Sequence, residues 1–242
     1  MRHAFLLALL LPALIASLAC GLQPERPPPT ADLPITIPWA DQEQARYQLL
    51  DRKSEEEMGT GTLSVARQGD TYELSQSFQG TDGSSDESTV TVDAQTLKPL
   101  SFHRTLMLKN QTEEVEGDYD AAKGVANITE VSGDEDRPVP LRLGDHYYDN
   151  DTLLFLWRTI PFAEGYTAAF RTVLTGNATQ KIVEIEIIGK EQITVPAGTF
   201  QAWKMESRSS GVKQFAWFAD TPQHPLLQYN NSIQLLQLMA LP

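Results

Sequence analysis

Beyond residue 20 the chain contains no cysteine, and Cys20 is its sole thiol. A disulfide scaffold, a cysteine zinc site and thiol catalysis are thereby excluded from the body of the protein. Histidine is nearly as scarce. Once His3 is set aside with the N-terminus, His103, His146 and His224 lie far apart and form none of the close pairs that a zinc helix requires. There is no Gly-x-Ser-x-Gly elbow and no Gly-rich phosphate loop. A triad built from distant Ser, His and Asp leaves no local mark, so a hydrolase acting on cell-wall or lipid material ranks last among the readings. Basic residues are also in deficit: 19 Lys and Arg face 32 Asp and Glu, for a formal net charge of −13. Phosphate binding needs clustered cations, so nucleic acid is excluded as a partner, and electrostatic adhesion to anionic headgroups is disfavoured. We expect no enzyme activity, no metal and no cofactor.

Long apolar runs are missing too, except one. Met1-Arg2-His3 precedes an apolar stretch from Ala4 to Leu18, broken only by Pro12 and Ser17, and Ala19-Cys20 follow at once. The stretch is marginal for a membrane span and suits a signal-peptide core. Ser17-Leu18-Ala19-Cys20 resembles the lipobox of bacterial lipoproteins, with Ser17 where an aliphatic residue is usual. That resemblance implies cleavage after residue 19 and acyl chains, palmitate among them, on Cys20. The anchored protein would then face the non-cytoplasmic side of the cell envelope. Gly21 after the cysteine implies the outer membrane in a diderm host, by the sorting rule of such lipoproteins, whereas a monoderm host would display the protein at its surface. Residues 21–38 hold six prolines, which deny a sheet its donors, so 20–40 is expected to be an extended tether. Residues 41–242 remain as a single β-rich domain.

From Ala45 onward the dominant period is two. Thr62 to Val65, Tyr72 to Phe78, Thr89 to Val92, Ser101 to Leu108 and Val183 to Ile187 all alternate apolar with polar residues. Strict alternation means one buried and one wet face, hence an antiparallel sheet. Turn chemistry at Arg67-Gln68-Gly69-Asp70, at Gly80 to Ser85 and at Ser132 to Pro138 separates the runs. We expect about ten to twelve strands in a curved sheet, barrel or sandwich. One segment departs from this pattern: Asp149-Asn150-Asp151-Thr152 precede the apolar run Leu153 to Trp157, and Pro161 follows. This predicts a short, buried helix over about 150–159 that plugs or lids the concave side of the sheet. The acidic groups at Asp145 to Asp151 and Asp82 to Glu87 lack calcium-loop spacing and read as caps and turns.

The candidate ligand-binding residues are Arg158, Trp157, Trp203 and Trp217. Arg158 would end the apolar helix as a cation complementing its dipole and pairing with an acid, the reading we prefer. At the mouth of an apolar cavity it would instead hold a headgroup or carboxylate.

Val195-Pro196-Ala197-Gly198-Thr199-Phe200 ends one strand and starts another. With Thr96-Leu97-Lys98-Pro99, Arg158-Thr159-Ile160-Pro161-Phe162 and Phe215-Ala216-Trp217-Phe218, this segment resembles the domain-of-unknown-function 3108 family of bacterial envelope proteins. The resemblance covers roughly residues 45–235 and implies a curved antiparallel sheet of lipoprotein-carrier type and no enzyme activity. Two roles stay open. One is uptake of a lipophilic ligand, or of a partner's acyl chain, on the concave side. The other is a solid-cored structural or interaction module of an envelope complex.

Cys20→Ser is expected to abolish incorporation of labelled fatty acid and to leave an uncleaved or soluble product. Continued labelling of that variant would refute the anchor.

Overall fold

A computed structural model describes residues 29–108, 111–131 and 138–241. The expected signal peptide, Cys20, the expected tether as far as residue 28 and the charged loop at 132–137 lie outside the described residues.

The alternation seen in the sequence becomes a meander. β1 (Gln42–Asp51), β2 (Glu57–Gln68), β3 (Thr71–Gly80), β4 (Ser85–Asp93), β5 (Pro99–Leu108), β6 (Gln111–Asp120), β7 (Val125–Glu130) and β8 (Val139–Arg142) pair in chain order. A second limb comprises β9 (Tyr147–Asp149), β10 (Thr167–Leu174), β11 (Thr179–Val195), β12 (Gly198–Ser209), β13 (Val212–Ala219), β14 (Leu226–Asn230) and β15 (Gln234–Leu238). β15 pairs with β1, which joins the limbs into one sheet with β8 and β9 as its edges. Every ladder is antiparallel except β9 with β10. The described residues thus form fifteen strands, more than the ten to twelve expected. β6 shows why the count ran low: only Tyr119 in it is buried, so Gln111 to Asp120 carries almost no apolar signal.

The turns follow their chemistry. Gly69 has φ 65° in the two-residue link between β2 and β3. Val195 is the last residue of β11, Pro196 and Ala197 make the corner, and Gly198 opens β12 at φ 133°. One further glycine marks close approach: a Cβ at Gly117 in β6 would sit 1.9 Å from the carbonyl oxygen of Asn127 in β7.

The sheet curls until its two edges meet. The Tyr119 hydroxyl of β6 donates to Asp149 Oδ2 at the end of β9 (2.5 Å), and the rings of Tyr119 and Tyr147 stack at 5.9 Å. Beside them the Gln180 amide donates to the Arg142 carbonyl (2.6 Å), while its oxygen accepts from Gly144 N–H (3.0 Å). Side chains therefore bridge a seam that no ladder closes.

Inside the curl lies the expected helix, shorter than 150–159. A 3-10 turn over Asn150–Thr152 leads into α1 (Leu153–Leu156). Asp149 caps the turn, accepting from Asp151 N–H at 2.8 Å, as the capping pattern implied. The helix stops because Thr159 Oγ1 donates to the Leu156 carbonyl (2.7 Å) and Pro161 can supply no donor. Phe155, Leu156 and Trp157 are almost fully buried and join one continuous core with Leu74 and Val90 of the first limb and Ile187, Met205 and Phe218 of the second.

The tether is corrected where it is described. Residues 29–40 form no strand, as their prolines require, yet Leu33 and Trp39 are buried in the core. Thr36 N–H donates to the Thr159 carbonyl (3.0 Å), and Trp39 meets Tyr72 edge to face at 5.9 Å. Two apolar anchors outweigh the extended character of the proline stretch, so the packed body begins before residue 41.

Candidate functional site

The core fills one end of the curl and leaves the other open. On the inner face an open cleft of about 860 Å³ runs between β1–β5 and β13–β15, with α1 along one side. Its apolar surface comes from Leu49, Met58, Phe78, Leu106, Leu154 and Trp157. Phe78 can lie flat because Gly61 is beneath it, where a Cβ would come within 2.8 Å of the ring. A smaller cavity of about 290 Å³ shares Arg104, Leu106, Asn150 and Asp151 with the cleft and reaches Thr175 beyond β10.

Where the two cavities meet, charges face inward. Arg104 forks onto Asp86 through Nε (2.9 Å) and Nη2 (2.7 Å). The Arg104 guanidinium also faces Asp151 and Asp149, and the Asp86 bond together with those charges raises its affinity for its proton. Asp149 is fully buried. Burial first, and the neighbouring Asp151 charge second, push its carboxyl up to about 7, against the opposing pull of Tyr119 and the Asp151 N–H. Burial likewise raises Asp151, with Arg104 working against it. The Gln76 amide of β3 donates to the Asp151 carbonyl at 2.8 Å, tying this turn to the first limb. The Ser88 hydroxyl also bonds Asp151, and the Tyr119 hydroxyl bonds Asp149. Among the described residues no group of three or more His, Cys, Asp or Glu is placed to hold a metal ion.

The expected ligand residues do not converge. Trp157 does line the cleft, packed against Tyr229 at 6.1 Å, and its buried indole N–H meets no acceptor among the described residues. Arg158 does not reach the cleft. It lies beyond α1, so it does not complement a final helical turn. Instead it is buried in a bidentate pair with Glu43 of β1 (2.5 and 3.3 Å). It also donates to the carbonyls of Gln223 (2.9 Å) and His224 (3.1 Å), and lies 5.4 Å from the Trp39 ring. Trp203 donates to Asp220 (2.9 Å) beneath Lys190, whose ammonium sits 4.4 Å from its ring. Trp217 donates to Glu191 (2.6 Å) beside Lys204. The register puts Trp203 opposite Phe218 and Trp217 opposite Lys204, so the two indoles point to opposite faces. Each is held by its own acid and lysine, and neither lines the cleft.

The residues that do border it were overlooked for a definable reason. Arg104 alternates in phase with Phe102, Leu106 and Leu108, and an arginine on the apolar side of a strand was the available signal. Nothing local marks Asp149 and Asp151 as buried, since capping residues are usually wet.

The family model described as "Protein of unknown function (DUF3108)" matches residues 45–229, most of the chain. The chain belongs to that family. The match runs from within β1 to within β14 and so takes in most of both limbs, the inner helix and most of the cleft wall. No curated protein matches. Two solved structures are similar. One, from Bacteroides fragilis, is described as an exported protein with a YmcC-like fold. It is 10% identical, covers 87% of this chain and 99% of its own length, and has a TM-score of 0.38. The other, described as a lipoprotein of Parabacteroides distasonis, is 12% identical over 88% of this chain and 100% of its own, with a TM-score of 0.33.

Two outcomes follow from this geometry. Arg158→Ala leaves Glu43 buried without its cation and should lower the unfolding free energy by about 3–5 kcal/mol in urea titrations. Arg158→Lys should recover only part of that, because an ammonium cannot fork. For Asp149 the native pKa lies above that of the unfolded chain. Its contribution is therefore greatest below the ordinary carboxylate range and is lost as pH rises towards 7. Asp149→Asn removes that loss, so between pH 4 and pH 8 the variant should gain on the order of 2 kcal/mol relative to wild type. A constant difference across that range would show that Asp149 titrates normally.

Proposed function

We propose that this is a non-enzymatic protein of the cell envelope, anchored through acyl chains on Cys20, whose inner cleft takes up an apolar ligand group. The observation that carries the reading is the cleft itself. Curling brings both limbs around α1, yet an opening of about 860 Å³ remains beside the buried core. That volume lies within the range of small-ligand sites, and its walls mix apolar side chains with a few polar groups in the way such sites do. The family match, the export signal and the lipobox-like cysteine support an envelope address, in which an apolar ligand or a partner's apolar segment is an available occupant.

The test uses a neutral, solvatochromic dye, Nile red, titrated into the protein without its signal peptide. Wild type should bind with a blue-shifted emission and saturate near one equivalent. Leu106→Trp, which adds bulk where the two cavities meet, should weaken binding about tenfold without lowering the melting temperature by more than a few degrees. If wild type leaves the dye spectrum unchanged, the ligand reading fails and a solid-cored interaction module takes its place.

A further inference from the structure

β6, β7 and β8 roof the smaller cavity. Glu113 and Val115 of β6 line it on one side, and Asn150, Asp151, Leu174 and Thr175 line it on the other. The hold of these strands on what lies beneath them is slight. Tyr119, Ala126 and Ile128 are the buried apolar residues they contribute, and no ladder joins them to β9. The seam is crossed by the Tyr119–Asp149 bond, by the stack of Tyr119 on Tyr147 and by the bonds of Gln180 to Arg142 and Gly144. Few buried side chains and no backbone pairing mark a segment that opens at low cost.

We propose that β6, β7 and β8 are a lid over the smaller cavity, latched to β9 through Asp149 and released when Asp149 gives up its proton. The surroundings of that carboxyl carry the argument. β6 presents the Tyr119 hydroxyl to it, β5 Arg104, and its own turn Asp151. β4 brings Asp86 and Ser88 to Asp151, and β3 brings the Gln76 amide. β10 sets Val173 opposite Asp149 and Arg171 opposite Tyr147. Arg104 is forked onto Asp86, so neither buried carboxyl of the turn has a cation to itself. Protonated, Asp149 accepts from Tyr119 and rests in the closed seam without charge. Ionised, it stands unhydrated two residues from Asp151, and the Tyr119 bond only partly offsets that loss. Water reaches it most directly where no ladder bars the way, between β6 and β9. Lifting the lid there also uncovers Arg104 and Leu106, which the smaller cavity shares with the cleft. Two histidines stand near the lid: His103 of β5 against Glu114 of β6 (2.7 Å), and His146 of the link against Asp32 (3.1 Å), which also holds Lys98.

The test reads the lid with a single thiol. In the protein without its signal peptide, Cys20→Ser leaves no cysteine, and Ala126→Cys then places one under the lid, on the face that Tyr119 shares. Its labelling by a disulfide reagent is followed from pH 5 to pH 8.5 and corrected, at each pH, by the rate of a free cysteine peptide. Opening returns Asp149 from about 7 to the ordinary carboxylate range. Labelling should therefore rise about thirtyfold between pH 5 and pH 7 and level off above that. Asp149→Asn, which can still cap the turn and accept from Tyr119, should abolish the rise. His103→Gln combined with His146→Gln should leave it in place. Ile128→Cys, two residues along the same face, should behave as Ala126→Cys does and serves where the first thiol disturbs folding. Ala216→Cys, buried in β13, reports the core and should stay slow throughout. The proposal is overturned if labelling under the lid does not rise with pH, if Asp149→Asn keeps the rise, or if the double histidine variant loses it. It is equally overturned if Ala216→Cys labels in parallel, since the whole domain and not a lid would then be loosening.

Discussion

The guanidinium of Arg158 must be satisfied in a place that water hardly reaches, and much of the architecture meets at that point. Stripping a buried cation of its partner is worth several kcal/mol, so Glu43 is bound to stay beside it. Glu43 belongs to β1, the strand at which the two limbs join, since β1 pairs with β2 on one side and β15 on the other. The remaining donors take the carbonyls of Gln223 and His224, which fixes the connection between β13 and β14. Trp39 covers the guanidinium and brings the proline-bearing segment with it. A short way off, the Tyr47 hydroxyl donates to the Leu226 carbonyl at 3.1 Å and ties β1 to β14 a second time. One cation thus holds the limb junction, the turn after the inner helix and the N-terminal segment in mutual register.

With that junction fixed, the far ends of the limbs are free only to curl towards each other. They meet at β8 and β9 without a ladder, because one link, residues 143–146, joins two antiparallel limbs whose edge strands are three and four residues long. The Tyr119–Asp149 bond, the tyrosine stack and the Gln180 bridge do what a ladder would do in a closed barrel. α1 occupies one end of the interior with four large apolar side chains and no more. It ends where the Thr159 hydroxyl takes the Leu156 carbonyl and Pro161 supplies no donor, and the cleft opens alongside it.

How much of this was legible depended on whether the signal was local. Val183 to Ile187 and Thr89 to Val92 read as half-buried strands because period two is written into consecutive residues. The corners at Gly69 and Pro196–Gly198 read correctly because their backbone demands are met by single residue types. β6 was not legible, since its neighbours β5 and β7 make it a strand and its own sequence does not. The helix was placed correctly and drawn too long, because capping residues and a proline bound a helix from outside while a threonine hydroxyl ends it from within. At the site, Trp157 follows the apolar run and lines the cleft, while Trp203 and Trp217 each meet an acid and a lysine that only strand pairing brings near. Arg158 was the reverse case: its charge was noticed, but its partner lies 115 positions earlier in the chain.

The inward charges are the part of the structure that stability does not explain. Arg104 and Asp86 stand on the same inner face as Phe78 and Leu106, half withdrawn from water, where an apolar pair of similar volume would be as good or better for folding. Asp149 and Asp151 oppose folding at neutral pH, since burial raises both and one must ionise against the other. Asp149 is useful as a cap and as the acceptor for Tyr119, yet an asparagine would cap equally well without a charge. A chain selected only to be stable would have replaced these groups and closed the cleft with leucines. Groups that break the local rule without serving the fold belong at working sites. Arg104, Asp86 and Asp151 border the open cleft, and Asp149 is buried two residues from Asp151. The groups that cost stability and the room that the curled sheet leaves therefore lie at the same end of the molecule.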